Sequence, residues 1–286
     1  MIGFIGLGVM GEPICRHLAT KSGQALLGFD VRREPLERLV AAGVVAAATV
    51  RDVAERCEIV FLSLPGGDEV KEVCTGRSSL LLFLRAGSAV VDLSTTPVAL
   101  TRELHTRFAA RGIRFVDAPV ARTRAAAQEG TLSVMVGAAE ADFVRLQPLL
   151  AHFASDITRC GDPGAGQAIK IVNNLLLFQN VAALAEALAL VRRLDLDAEL
   201  ALRVLAKGSA DSFALRNHAM KAMLPDQYPR RAFSVAYALK DIGYALELAQ
   251  QAGVELTGGA NARALLERAA AAGHAEEYFP VIAKVL

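Results

Sequence analysis

Gly3-Phe4-Ile5-Gly6-Leu7-Gly8-Val9-Met10-Gly11 decides the fold of this chain. The residues read as a short buried strand, then a glycine turn through Val9 and Met10, then the start of a helix. Gly6-x-Gly8-x-x-Gly11 is the spacing of a dinucleotide-binding turn, and each glycine has its own task. Gly6 permits the tight turn, Gly8 removes a Cβ so that backbone can approach a pyrophosphate, and Gly11 lets the helix lie close on its strand. The free N–H groups and the dipole at that helix start attract phosphate. A motif this short is weak alone. Further on, Ala25-Leu26-Leu27-Gly28-Phe29-Asp30 supplies a second strand ending in an acid, at about the ~20-residue offset where a ribose ligand belongs. A carboxylate there accepts both ribose hydroxyls and repels a 2′-phosphate, so the residues point to NAD. Arg32 and Arg33 beside it leave NADP as the alternative.

Outward from this turn, the first 160 or so residues alternate apolar runs with helical stretches, the pattern of a parallel sheet covered on both faces. Strands are predicted at 1–5, 25–30, 59–64, 89–93, 113–117, 132–136 and 156–159, and helices at 10–21, 34–42, 68–73, 96–111 and 139–154. The character changes at Gly161-Asp162-Pro163-Gly164-Ala165-Gly166. Beyond it the sequence is Ala- and Leu-rich helix without a convincing strand, and 166–194 reads as one helix on the order of 40 Å long. The predicted architecture is a Rossmann-type doubly wound α/β sheet over 1–162, then an all-α domain over 163–286 that begins with a long bridging helix.

With 31 Lys+Arg against 30 Asp+Glu, the net charge is +1. That balance argues against a nucleic-acid binder, which carries a basic face or tail. The four cysteines form no CxxC pair and no metal-ligand spacing, so no metal is expected and reduced thiols point to the cytoplasm. A mean hydropathy of +0.35 raises the question of a membrane. The most apolar stretch, 171–191, is however interrupted by Asn173, Asn174, Gln179, Asn180 and Glu186, which suits a core helix better than a lipid-facing span. The N-terminus enters a strand without a basic region, so no signal peptide is expected.

Ligands of an open α/β sheet sit outside the carboxyl ends of its strands. Leu64-Pro65-Gly66-Gly67, Ser94-Thr95 and Asp117-Ala118-Pro119 stand at predicted strand ends, where Pro and Gly also serve simply as turn formers. On the long helix, Gln167, Lys170, Asn173 and Asn174 share one face. A polar stripe among apolar residues must be solvated or paired, because an unpaired buried amide costs ~1–3 kcal/mol. One use is a substrate cleft with lysine as proton donor and acceptor, since a partly buried amine titrates nearer neutrality than a free one. The other is a lysine reaching out to water beside amides that cap backbone. Lys240-Asp241 is an ion-pair candidate, and the five histidines are dispersed without a motif.

Over its whole length the sequence resembles the 3-hydroxyisobutyrate dehydrogenase family, the β-hydroxyacid dehydrogenases related to 6-phosphogluconate dehydrogenase. The resemblance is carried by residues 3–13, Asp92-Leu93-Ser94-Thr95, Asp117-Ala118-Pro119-Val120, Gly130-Thr131-Leu132, Gly164 to Asn174, and Lys240-Asp241. It implies dimers or tetramers that interconvert a small acid bearing a hydroxyl group and its semialdehyde with a nicotinamide cofactor. Lys170 is then the proton carrier. Asn174, with Asn173 beside it, Ser94 and the backbone after Val120 hold the acid group, and Lys240 closes the site near the cofactor. Leu64, Pro65 and Thr95 line the cofactor. One departure concerns the substrate. Where most of the family has Ser-Gly-Gly, this chain has Ala121-Arg122-Thr123. An arginine fork binds oxyanions through two parallel bonds, and a similar Gly-Arg-Thr in sulfolactaldehyde reductases meets a sulfonate. Arg122 is therefore expected either at the substrate's acid group or, like Arg124, in solvent.

Overall fold

The computed structural model describes residues 1–230 and 232–286. The chain forms two units, Met1–Lys170 and Ile171–Leu286. In the first, strands β1 (Ile2–Ile5), β2 (Leu26–Phe29), β3 (Val44–Ala46), β4 (Ile59–Leu62), β5 (Ala89–Asp92) and β6 (Arg114–Asp117) pair in parallel in the order β3-β2-β1-β4-β5-β6. Helices α1 (Gly11–Lys21), α2 (Glu34–Val40), α3 (Val50–Arg56), α4 (Gly67–Thr75), α5 (Leu80–Phe83) and α6 (Val98–Ala109) lie between these strands along the chain. The sheet continues through β7 (Val120–Ala121), β8 (Leu132–Gly137) and β9 (Ala154–Gly161), joined by α7 (Arg124–Glu129) and α8 (Glu140–Leu150).

This last part corrects the expectation of a parallel sheet. After β7 the chain doubles back through α7, so β8 runs antiparallel to both β6 and β7, and β9 then pairs in parallel with β8. Strands β3 and β7 were not predicted, because two or three residues are too few to show a period. Successive side chains of a strand point to opposite faces, and both faces here are filled. Phe4, Phe61 and Val91 enter one core with Ile14, Leu18 and Phe153. Ile5, Leu62 and Val90 enter another with Leu27, Phe108 and Phe115. Burial on two faces explains why these strands read as continuous apolar runs.

Helix α9 (Ala165–Arg193) runs from the first unit into the second. Its apolar window has a mean hydropathy of 1.6, enough by length and composition for a membrane span. Its Phe178, Val181, Ala185 and Leu188, however, pack into the core of the second unit, with Leu215, Val235, Ile242, Leu266 and Phe279. That unit also contains α10 (Ala198–Leu205), a π-helical segment Leu215–Met223, α11 (Val235–Ala252) and α12 (Thr257–Ala269). Among the described residues it has no strand, only an isolated bridge between Ser234 and Tyr278. The two units divide after Lys170, within α9, whose first turn is hydrogen-bonded to the sheet through Gln167.

Candidate active site

The glycine turn follows β1 as its sequence requires. Gly6 has φ +90°, and a Cβ there would lie 2.3 Å from the Ser63 carbonyl oxygen. A Cβ on Gly11 would lie 2.0 Å from the Gly6 carbonyl oxygen, so only glycine lets α1 approach its strand this closely. Gly8 differs: apart from its chain neighbours, no described atom lies within 4 Å of its Cβ position. Its bare backbone faces open space, with Val9 exposed and Met10 half-buried beside it. Chain order reverses on either side of β1, which pairs with β2 and β4, and such a switch point is where an open sheet binds its ligand. Asp30, just past β2, accepts hydrogen bonds from the Leu7 N–H at 2.6 Å and the Arg32 N–H at 2.9 Å. A passable cradle, an acid at the neighbouring strand end and a free helix start together fit a dinucleotide.

The next strand ends are tied together. The Leu64 N–H donates to Ser94 Oγ at 2.9 Å, leaving Leu64 half-buried and Pro65 exposed. Ser94 is buried, with its own N–H on Asp92 Oδ1, while Thr95 is half-buried. Thr96 donates its hydroxyl to Asp92 Oδ2 at 2.7 Å. Gln167, on the first turn of α9, donates from Nε2 to the Ser94 carbonyl and accepts at Oε1 from the Thr96 N–H. Asp117, at the end of β6, accepts from the Gly164 and Gln167 N–H groups at 2.7 and 2.9 Å. Burial pushes its carboxyl up to about 6. Lys170 is half-buried one turn further along α9.

A second polar group lies in the helical unit. Asn174 is buried and donates to Asp241 Oδ2 at 2.7 Å, and Lys240 Nζ sits 2.6 Å from Asp241 Oδ1. Lys240 also lies 4.7 Å from the ring centre of Tyr244. Asn173 is exposed and donates to Asn174 Oδ1. The sequence singled out Lys240-Asp241 as a pair, but not Asp241 as the shared partner of Lys240 and Asn174. It also missed Asp92 and Thr96 as members of the buried network, although Asp92 opens the Asp-x-Ser-Thr motif. Among the described residues no cluster of His, Cys, Asp and Glu could hold a metal ion.

Arg122, read from the sequence as either a ligand of the substrate's acid group or a solvent-facing charge, is engaged with residues of its own sheet. Its guanidinium donates to the Thr131 carbonyl and Ser155 Oγ and pairs with Asp156 at 2.5 Å, an arrangement on the exposed edge of the sheet. Its φ is +87°, a left-handed backbone where glycine is at ease and arginine is not. The fork's acceptors are thus intramolecular, and they hold the residue in a conformation its own side chain disfavours. Thr123 next to it caps α7, accepting from the Ala126 N–H.

Residues 1–161 match the NAD binding domain of 6-phosphogluconate dehydrogenase, and residues 164–286 match the NAD-binding domain of NADP-dependent 3-hydroxyisobutyrate dehydrogenase. The chain belongs to the 3-hydroxyisobutyrate dehydrogenase family. It is similar to the 2-(hydroxymethyl)glutarate dehydrogenase of Eubacterium barkeri, 37% identical over 99% of this chain and 94% of that one. The 3-sulfolactaldehyde reductase of Escherichia coli is 33% identical over 98% and 94%. Among solved structures, 3-hydroxyisobutyrate dehydrogenase from Salmonella typhimurium has a TM-score of 0.89 at 28% identity, covering 100% of this chain and 99% of that one. This member of the 3-hydroxyisobutyrate dehydrogenase family is an oxidoreductase that uses a nicotinamide dinucleotide.

Proposed function

We propose that the enzyme interconverts a small anionic 3-hydroxy acid and its semialdehyde, preferring NAD to NADP, with Lys170 as the group that moves the proton. The observation that carries this reading is helix α9. It is anchored by Gln167 and presents Lys170 and then Asn174 at i, i+3 and i+7, on one face. The open backbone at Gly8, the helix start at Gly11 and the Asp30 carboxylate would hold the dinucleotide, with Leu64, Pro65 and Thr95 along it. When bound, the nicotinamide supplies the two-electron redox chemistry. In oxidation Lys170 Nζ accepts the substrate's hydroxyl proton, and in reduction it returns a proton to the carbonyl oxygen. Asn174 and Ser94 hold the acid group. Asp241 fixes the Asn174 amide and keeps the Lys240 ammonium beside it.

The anionic substrate is supported by two relatives whose names specify a dicarboxylic acid and a sulfonated aldehyde. A reading as a sulfolactaldehyde reductase leans on Arg122, whose bonds to Asp156 and Ser155 speak against a sulfonate partner. We also place the enzyme in the cytoplasm, in keeping with four free cysteines, and as a homodimer or homotetramer. Self-association is supported by exposed apolar side chains on α9 and around α10, including Leu176, Leu190, Leu200 and Val204. The test is turnover of a panel of short hydroxy acids and aldehydes, charged and neutral, with NAD and NADP in turn. Anionic substrates should lead with NAD, and a leading neutral substrate would overturn the proposal.

A further inference from the structure

We infer that Asp117 and Gln167 are positioning residues: they fix the first turn of α9 against two strand ends, and so set where Lys170 stands. The inference rests on the reading of Lys170 as the proton carrier. An ordinary helix start is capped by one exposed Ser, Thr, Asn or Asp. Here the cap comes from a different element, 47 residues earlier than Gly164, and it is fully buried. Both carboxylate oxygens are used, Oδ1 on the Gly164 N–H and Oδ2 on the Gln167 N–H.

The surrounding backbone makes room for this carboxylate. A Cβ on Gly137 would lie 2.4 Å from Asp117 Oδ1, and one on Gly166 would lie 2.8 Å from Oδ2. Gln167 is also fully buried and uses both ends of its amide, on the Ser94 carbonyl at 2.8 Å and the Thr96 N–H at 3.0 Å. Asp92 holds those two residues in turn, through the Ser94 N–H and the Thr96 hydroxyl. The ends of β5 and β6 therefore grip α9 at a residue one turn before Lys170, about 4.5 Å along the axis. Burial raises the Asp117 carboxyl to about 6, so at neutral pH this ionised group is held at a cost to stability. A group kept in place at such a cost fits a functional constraint better than a stabilising cap. A misplacement of ~1 Å lowers a positioned reaction by about 100-fold, which sets the expected effect.

The experiment is a double-mutant cycle on the full chain, with single-turnover rates and NAD affinity measured for each variant. Asp117→Asn keeps the shape of the side chain but places a donor opposite a backbone donor. It should lower the rate about 10- to 100-fold while NAD affinity stays within about threefold. In a Lys170→Met background, the same change should lower the residual rate by less than about threefold, because the group being positioned is gone. Equal factors in both backgrounds, or a wild-type rate in Asp117→Asn, would overturn the inference while leaving Lys170 in its role. A Lys170→Met variant that keeps more than about a tenth of the rate would instead remove the Lys170 reading, and this inference with it. If Asp117→Asn does not bind NAD, Gln167→Met carries the same cycle and the same outcomes apply.

Discussion

Asp30→Asn and Asp30→Ala separate two tasks that the structure gives to one carboxylate. One oxygen accepts the Leu7 N–H at 2.6 Å and thereby holds the glycine turn; the other takes the Arg32 N–H and lies 3.3 Å from Arg32 Nε. The Asp30 side chain is only 8% exposed, whereas Arg32 is 59% exposed. Leu7 is buried, so deleting its acceptor strands an N–H and costs about 1–3 kcal/mol. Asparagine retains an oxygen for Leu7, and the Arg32 N–H it abandons can turn to water. Asp30→Ala should therefore lower the melting temperature by several degrees, and Asp30→Asn should leave it near wild type. Cofactor choice follows the charge instead. A second negative charge ~4–6 Å away costs about 3–4 kcal/mol at an effective dielectric near 20, and the exposed Arg32 offsets part of it. A net ~1.5–3 kcal/mol corresponds to roughly a 10- to 100-fold preference for NAD in kcat/KM. Both variants should relax that preference about tenfold or more. Thermal unfolding and steady-state kinetics with each cofactor read the two effects separately. Equal or better kcat/KM with NADP in the wild type would refute the reasoning, as would equal melting temperatures for the two variants.

Arg122→Ala should lower kcat/KM for an anionic and a neutral substrate by similar factors, because the guanidinium is engaged with Asp156, Ser155 and Thr131. A loss confined to the anionic substrate would return Arg122 to the binding site. Arg122→Gly should be more stable than Arg122→Ala by about 1–2 kcal/mol in chemical denaturation, since glycine carries no Cβ penalty at a positive φ. Acid should act in opposite directions at His218 and at Asp117. Burial depresses His218, in the helical unit, to about 4, so its stabilising share is full above the ordinary histidine pKa and is lost as pH falls through about 6.5 to 4. Asp117 is raised to about 6, so its own share of stability grows as pH falls from about 6 towards 4, whereas the lowered His17 and Glu12 of the same unit lose theirs. Hydrogen exchange at pH 7 and pH 4.5 should accelerate around Leu215–Met223 relative to β6, and uniform acceleration in both would count against this assignment.

Much of this molecule was legible because its signals are local. The glycine turn, the acid after β2, the central strands and the long helix each occupy one continuous stretch with a clear period. The reading of α9 over 166–194 differs from Ala165–Arg193 by a single residue at each end. Features that depend on distant partners were not legible. Gln167 stood on the polar face of α9, but nothing in the sequence said that its amide reaches the turn after β5, 71 residues earlier for the Thr96 N–H. Arg122 was recognised as a departure from the family pattern, yet its destination depended on Ser155 and Asp156 at the start of β9. The antiparallel return of β8 was hidden because an apolar run looks the same in either direction.

The most direct test of the enzyme's mechanism is the kcat of Lys170→Met on the best anionic substrate, with NAD affinity measured on the same preparation. Methionine keeps the stem of the side chain and removes its proton-carrying head. Proton transfer by a positioned group is worth about 10²–10⁴-fold, so kcat should fall by at least that range's lower end. NAD should still bind, through the turn at Gly6, Gly8 and Gly11 and through Asp30. A variant that retains more than about a tenth of wild-type kcat would contradict the assignment of Lys170 as the proton carrier.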